Sequence, residues 1–304
     1  MTTALARTEH VVTRGAVQRW IEEGLVLVDG KPASASSRAR LGQSIEVKPG
    51  RPAISEAIPD PSVQFTVLFE DDALLVLDKP AGLVVHPARG HETGTLVNGL
   101  LARGGFDLAP EGEGPLAHVR PGIVHRLDKG TSGVMVVAKC AEAREGLKKL
   151  FAAHDIERCY LALVVGENLG GTLRSLHARH PTDRLRFTSR TREGKTAVTH
   201  VQVRSRFGTL ATKVACQLET GRTHQIRVHL AEIARTPVLG DPIYGQPKEF
   251  EPVRAMHRAL GHQALHASVL GFVHPLTHER LQFETPPPAD FAAAEAALIA
   301  ATNT

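Results

Sequence analysis

The sequence is poor in the features that mark several protein classes. Aromatic residues fill only 4% of its 304 positions, so the core has to be built from aliphatic side chains. Three cysteines, Cys140, Cys159 and Cys216, lie far apart without C-x-x-C spacing. An odd, unpatterned set argues for reduced thiols in a cytoplasmic protein rather than a disulfide framework. No stretch approaches the roughly 18 uninterrupted apolar residues of a membrane helix, and Met1 to Arg7 lacks the apolar core of a signal peptide. Neither G-x-G-x-x-G nor G-x-x-x-x-G-K-[ST] occurs, which removes the usual nucleotide-cofactor readings. Sixteen histidines are scattered and none stands in an H-E-x-x-H frame, so neither a metal nor another cofactor is expected.

With 42% apolar residues the chain can bury a substantial core, and its length suggests about two domains. Net charge is only +4, yet the pI is about 9.1. That combination suggests one basic face rather than a basic protein, so the distribution of charge matters more than its total.

The first fifty residues read as a compact unit. Thr13 caps a helix running to Glu23, with Val17, Trp20 and Ile21 on one face and Gly24 at its end. Leu25 to Val28 reads as a strand entering a tight turn at Asp29-Gly30, and Ser44 to Val47 as a second strand. Arg14, Arg19, Lys31, Arg38 and Arg40 are placed to face phosphates, although the same charges also suit a solvated surface. Lys48 to Ser62 holds Pro49, Pro52, Pro59 and Pro61 without apolar periodicity and reads as a semi-rigid linker.

Beyond it come short strands with turn punctuation. Strands are predicted at Val67 to Phe69, Ala73 to Leu77, Val134 to Ala138, Tyr160 to Val165, Val198 to Val203, Ala211 to Leu218 and Leu281 to Phe283. Helices are predicted at Thr95 to Leu101 and Ala141 to Ala153. The mix implies an α+β domain on a largely antiparallel sheet. Arg174 to Arg206, including Arg184 and Arg186, carries nine cations against two acids, the footprint of a phosphate-backbone binder or of a charged hairpin.

Chemistry concentrates in His125-Arg126-Leu127-Asp128-Lys129-Gly130-Thr131-Ser132-Gly133, directly before the apolar run from Val134. A strand start that fixes a polar loop holds a side chain rigid yet accessible. Asp128 stands between Arg126 and Lys129, two cations that favour an ionised carboxylate, and an ionised carboxylate is a nucleophile or a base. The same residues are also ordinary turn chemistry, with the carboxylate bonding backbone amides.

This loop resembles the signature of the RluA-type pseudouridine synthases. The segments Asp78-Lys79-Pro80-Ala81-Gly82, Arg158-Cys159-Tyr160, Leu218 to His229 and Leu239-Gly240-Asp241-Pro242 are similar to further blocks of that family, and the first fifty residues resemble an S4 RNA-binding domain. The resemblance implies a mainly antiparallel mixed-sheet catalytic domain over 64–304, a Pro-rich linker at 51–63 and a small α/β S4-like domain at 1–50. It implies a cofactor-free isomerase acting on RNA, with Asp128 as catalytic carboxylate, Arg227 pairing with it and Tyr160 packing on the target base. Arg126 is the residue that fills the place of a flipped nucleotide, Leu239 lines the uracil pocket, and His125 and Arg222 lie at the substrate. Lys79-Pro80 and His86-Pro87 are expected to be structural. Gly130 departs from the family, which usually carries a larger residue there, and is expected to loosen the loop. The S4-like domain points to large-subunit ribosomal RNA or its precursor particle as partner, with transfer RNA and a purely RNA-binding or assembly role as alternatives. A monomer is expected.

Overall fold

In the computed structural model the described residues are 20–21, 24–34, 40–48, 58–87, 91, 93–106, 122–245 and 251–302. They fall into two compact units, one holding the described residues up to Lys48 and the other beginning at Ile58. The first contains a three-stranded antiparallel sheet of β1 (Val26–Val28), β2 (Lys31–Pro32) and β3 (Ile45–Val47), in the order β2-β1-β3. Asp29 and Gly30 both have positive φ, 50° and 76°, as a two-residue hairpin turn of the kind favoured by strand twist requires. Trp20 and Ile21 are helical. The rest of the helix expected from Thr13 lies outside the described residues.

The second unit is organised on an 11-stranded sheet. In chain order its elements are β4 (Thr66–Glu70), β5 (Leu74–Lys79), α1 (Leu96–Arg103), β6 (Gly122–Ile123), β7 (Ser132–Ala138), α2 (Ala141–Ala153), β8 (Glu157–Val165), β9 (Gly171–Arg179), β10 (Phe187–Thr188), β11 (Lys195–Phe207) and β12 (Ala211–Leu218). There follow α3 (Gln225–Val228), continued by a π-helical turn at His229–Ile233, then α4 (Val253–Leu260), β13 (Leu265–Val273), β14 (Arg280–Glu284) and α5 (Ala289–Thr302). The main path runs β10-β9-β11-β12-β8-β13-β7-β5-β4, with β14 on β13 and β6 on β7. Among the described residues every pairing in this sheet is antiparallel except β13 with β7.

Apolar cores cover both faces of β5 and β7. Leu75, Leu77, Met135 and Val137 point into the larger core, while Leu74, Val76, Val134, Val136 and Ala138 point into the smaller one with Leu147 and Phe272. Strands buried on both sides read as continuous apolar runs, which is why these two were legible. At the parallel junction, Gly133 (φ 116°) faces Ala267, whose carbonyl oxygen would stand 2.2 Å from any Cβ at that position. Only glycine lets β7 start there. The end of the expected linker is tied down: Asn98 Nδ2 donates to the Ile58 carbonyl at 2.8 Å, and the Asp60 N–H donates to the Asn98 carbonyl at 3.0 Å.

Candidate active site

The loop between β6 and β7 carries Asp128 and is fixed at several points. The Gly82 N–H donates to the Lys129 carbonyl at 2.8 Å, and the Thr131 N–H donates to the Asp128 carbonyl at 3.0 Å. Lys79 is fully buried, and its ammonium donates to the carbonyls of Pro80, Leu83 and Lys129 at 2.8, 2.9 and 3.3 Å. Three acceptors match its three protons. Burial pushes the Lys79 amine down to about 7, against the opposing pull of Asp128 and Asp78. Lys79 therefore clamps the loop that follows β5 to the loop bearing Asp128.

Asp128 meets its partners across the sheet, 99 residues away. Arg227 donates from Nη1 to Asp128 Oδ2 at 2.9 Å. Its Nε and Nη2 form a bidentate pair with Asp241 at 2.7 and 2.9 Å. One guanidinium thus bridges two carboxylates, a geometry that lysine cannot reproduce. Burial works against the Arg227 charge, but the Asp241 and Asp128 carboxylates overcome it and push its pKa up. The Asp241 carboxylate is inaccessible to solvent and also accepts the N–H groups of Ile243 and Tyr244 at 2.8 and 3.0 Å.

Arg227 is aimed by the start of α3. His224 adopts a left-handed conformation (φ 59°) immediately before the helix. Gln225 then accepts from Thr220 Oγ1 and the Arg222 N–H, and donates to the Val198 carbonyl and Thr199 Oγ1. This buried amide locks the short helix to β11. His224 Nε2 lies 3.8 Å from Asp128 Oδ1, on the edge opposite Arg227. Burial lowers the His224 pKa, with Asp128 opposing the shift, so the imidazole is neutral near pH 7.

Asp128 sits where two cavities meet. The larger, about 560 Å³, is lined by residues including Arg126, Tyr160, Arg158 and Arg222; the smaller, about 60 Å³, lies against Leu127, Ile226 and Leu265. Tyr160 lines both and is 9% exposed. Burial pushes its phenol up to about 12. Arg126 is exposed at the same place.

Other expected residues fall elsewhere. Leu239 is fully buried in the main core and lines neither cavity; Leu127, Leu218, Ile226 and Leu265 form the apolar wall instead. His125 borders the larger cavity, but its Nε2 accepts the Val136 N–H at 3.1 Å and its ring stacks on Phe151 at 4.6 Å. Burial pulls its pKa down to about 3, as suits an imidazole serving as a fixed acceptor for a backbone amide within β7. Arg126 and Lys129 are not the ion-pair partners of Asp128. Lys129 instead approaches His91 Nε2 at 3.4 Å. Gly130 does not loosen the loop: a Cβ there would stand 2.6 Å from Gln263 Oε1 and 2.9 Å from His262 Cβ. Glycine is what allows that close approach.

Arg222 borders both cavities and donates from Nε to the Thr196 carbonyl at 3.1 Å. Arg184 is exposed, whereas Arg186 is partly buried with its guanidinium 5.2 Å over the Tyr244 ring. Lys31 and Arg40 are exposed on the first unit. Arg14, Arg19 and Arg38 lie outside the described residues.

Sequence reasoning missed the roles of His224, Asp241 and Tyr244. The first two stand inside the quoted blocks, and the scarcity of tyrosine was the available signal for the third, since both tyrosines of the chain are at this site. Among the described residues no helix is long and apolar enough to cross a membrane, and no group of three potential metal ligands converges.

Residues 73–232 match the RNA pseudouridylate synthase family, and residues 3–45 match the S4 domain. Over 91% of this chain and 82% of its own length, the "Ribosomal large subunit pseudouridine synthase D" of Xanthomonas campestris pv. campestris is 43% identical. The "Uncharacterized RNA pseudouridine synthase YlyB" of Bacillus subtilis is also 43% identical, over 95% of this chain and 90% of its own. Among solved structures, "Human RNA Pseudouridylate Synthase Domain Containing 1" superposes with a TM-score of 0.57 at 23% identity, covering 81% of this chain and 97% of that one, and shares the fold. With the expected α+β sheet architecture in place and the match running through the loop, β8 and α3, this chain belongs to the RNA pseudouridylate synthase family, enzymes that isomerise uridine to pseudouridine in RNA, and carries an N-terminal S4 domain.

Proposed function

We propose that this enzyme modifies uridines of large-subunit ribosomal RNA in the cytoplasm, with Asp128 as its catalytic carboxylate. The observation that carries the assignment of Asp128 is its position at the junction of two cavities, held on one oxygen by Arg227 and approached on the other by His224. The substrate rests on the names of relatives such as those from Xanthomonas campestris and Pseudomonas aeruginosa, "Ribosomal large subunit pseudouridine synthase D". The S4 domain, the linker and the exposed cations Lys31, Arg40 and Arg184 suit docking on a phosphate backbone.

A uridine within RNA is shielded by its neighbours, and extruding it costs roughly a few kcal/mol. In this reading Arg126, which is exposed two residues before Asp128, fills the vacated stack with its planar guanidinium. The N1–C1′ bond breaks, the uracil turns, and C5 joins C1′; a proton leaves C5 and one arrives at N1, so the sum is an isomerisation. Asp128 starts this by attacking the sugar or by taking a proton from it, and both routes use a carboxylate paired with Arg227. Tyr160 offers its ring to the base. A phenol pushed up to about 12 stays protonated, which suits packing and proton relay better than outright abstraction.

The test is pseudouridine mapping of ribosomal RNA from cells lacking this gene. Signals in the large-subunit RNA should vanish, return with the wild-type gene and stay absent with Asp128→Ala. Return of the signals with Asp128→Ala would remove Asp128 from the chemistry. A ribosomal map that never changes would move the substrate to transfer RNA or another transcript.

A further inference from the structure

The larger cavity holds a cation that the chemistry above does not use. Alternation along β8 puts Arg158 on the same face as Tyr160, about 7 Å along the strand. Arg158 is only 7% exposed. Its Nη2 donates to the carbonyls of Leu218 and Glu219 at 3.3 and 3.1 Å. Its Nε is buried with no hydrogen-bond partner. Its Nη1 lies against Gly221, where a Cβ would come within 2.8 Å, so the missing side chain leaves the guanidinium its place on the cavity wall. Phe151 flanks it, with the guanidinium carbon 5.8 Å from the ring centre.

Among the described residues no carboxylate offsets this charge; burial lowers the Arg158 pKa, and only Tyr160 opposes the shift. A buried cation without a counter-charge is strongly disfavoured. The other charged groups on the wall do not relieve it: Arg126 and Arg222 are cations, and the one carboxylate, Asp128, is engaged by Arg227. Two carbonyls could be capped by a neutral donor, so the hydrogen bonds to Leu218 and Glu219 do not by themselves require a guanidinium.

We propose that Arg158, seated over Gly221 beside Tyr160, is a subsite for a phosphodiester group of the RNA strand carrying the target uridine. The proposal rests on the RNA-modifying activity of this cavity and names the part of the substrate that the Arg158 end of it receives. Uracil is neutral and leaves the charge uncompensated, whereas a phosphodiester supplies both the anion and acceptor oxygens for a guanidinium. A cavity of about 560 Å³ is of a size to hold a nucleotide together with its linkage. The ring of Tyr160 takes the base, and the anion two residues along the strand belongs to the same stretch of backbone.

The experiment measures binding and turnover of large-subunit RNA transcribed in vitro, across a salt series, for wild type, Arg158→Gln and Arg158→Lys. Arg158→Gln should weaken binding about tenfold and flatten the slope of log K against log salt by about one, with KM changing more than kcat. Arg158→Lys keeps the charge and should restore most of the slope. A slope unchanged in Arg158→Gln, with only a lowered Tm, would make Arg158 a structural cap and overturn the proposal. Inorganic phosphate is compared with chloride at equal ionic strength as a competitor. If it displaces RNA from wild type but not from Arg158→Gln, the anion site is confirmed; if phosphate stabilises the wild type without displacing RNA, the site serves a free anion and the proposal fails. Because the slopes are read from binding alone, a wild type that binds this RNA but makes no pseudouridine in it would count against the substrate assignment and leave the subsite measurement intact.

Discussion

The Tyr244 hydroxyl lies 3.0 Å from Nδ1 of His224 and accepts the N–H of Phe187 at 2.8 Å. Among the described residues Nδ1 is the one acceptor within reach of the hydroxyl proton, and we assign that proton to it. The proton of the neutral imidazole then sits on Nε2, the nitrogen 3.8 Å from Asp128 Oδ1. Tyr244 thereby selects the tautomer that turns an N–H toward the carboxylate.

Tyr244→Phe removes the donor to Nδ1, and protonating that nitrogen no longer requires the hydroxyl to turn away. His224, whose pKa burial holds below the usual value, should then gain its proton at higher pH. Activity that depends on the neutral ring falls as pH falls. The acid limb of the single-turnover pH profile should move upward by about half a unit to one unit, which corresponds to roughly 0.7–1.4 kcal/mol of lost preference for the neutral form. A limb that does not move would show that the tautomer is not set by Tyr244.

Asp241→Asn breaks the inner half of the carboxylate–guanidinium–carboxylate bridge. Burial disfavours the charge on Asp241, yet Arg227 and the amides of Tyr244 and Ile243 prevail and hold its pKa below the usual carboxylate range. A carboxylate whose folded pKa is depressed contributes stability that is present above the unfolded pKa of about 3.9 and lost as pH falls through the folded value. Urea unfolding at pH 7 should show a loss of about 3–5 kcal/mol for the variant. The wild type should lose part of this difference below about pH 4, narrowing the gap. A gap that stays constant into acid would contradict the assignment.

Gly130→Ala places a methyl group against Gln263, whose Nε2 donates to Thr131 Oγ1 at 3.0 Å. Overpacking of this kind costs about 1–3 kcal/mol, and the strain falls on the loop that carries Asp128. Turnover should drop about tenfold to a hundredfold with a smaller change in RNA affinity. Unaltered kcat would mean that Gln263 simply swings aside.

Leu239→Ala separates a pocket residue from a core residue. The side chain is fully buried in the main core, so truncation should cost about 2–5 kcal/mol in chemical denaturation and leave KM close to wild type at a temperature where the variant is folded. A raised KM with little loss of stability would return Leu239 to the substrate pocket.

The sheet was legible where a strand's environment shows in its own residues. β7 and β5 are apolar on both faces and β12 ends where its apolar pattern ends; α2 begins and ends at the expected residues, Ala141 and Ala153. The loop before β7 announced itself because charged residues and glycines stand at the mouth of a buried strand. The clustering of Asp128, Tyr160 and Arg227 was available only through the resemblance to a family, since their separations in sequence give no spacing to read. Sequence proximity even misled, because Arg126 and Lys129 adjoin Asp128 while its ion-pair partner is 99 residues away.

What the sequence by itself determined is therefore local: alternation, helix limits, the Asp29-Gly30 turn and the concentration of reactive side chains in one loop. What the tertiary structure decided is pairwise and long-range. The parallel junction of β13 with β7 and the lock of Gln225 onto β11 bring Arg227, Asp241, His224 and Tyr244 around one carboxylate. The physical reason is that backbone propensity and patterning act over a few residues, whereas a buried charge takes its state from whichever groups the fold packs against it.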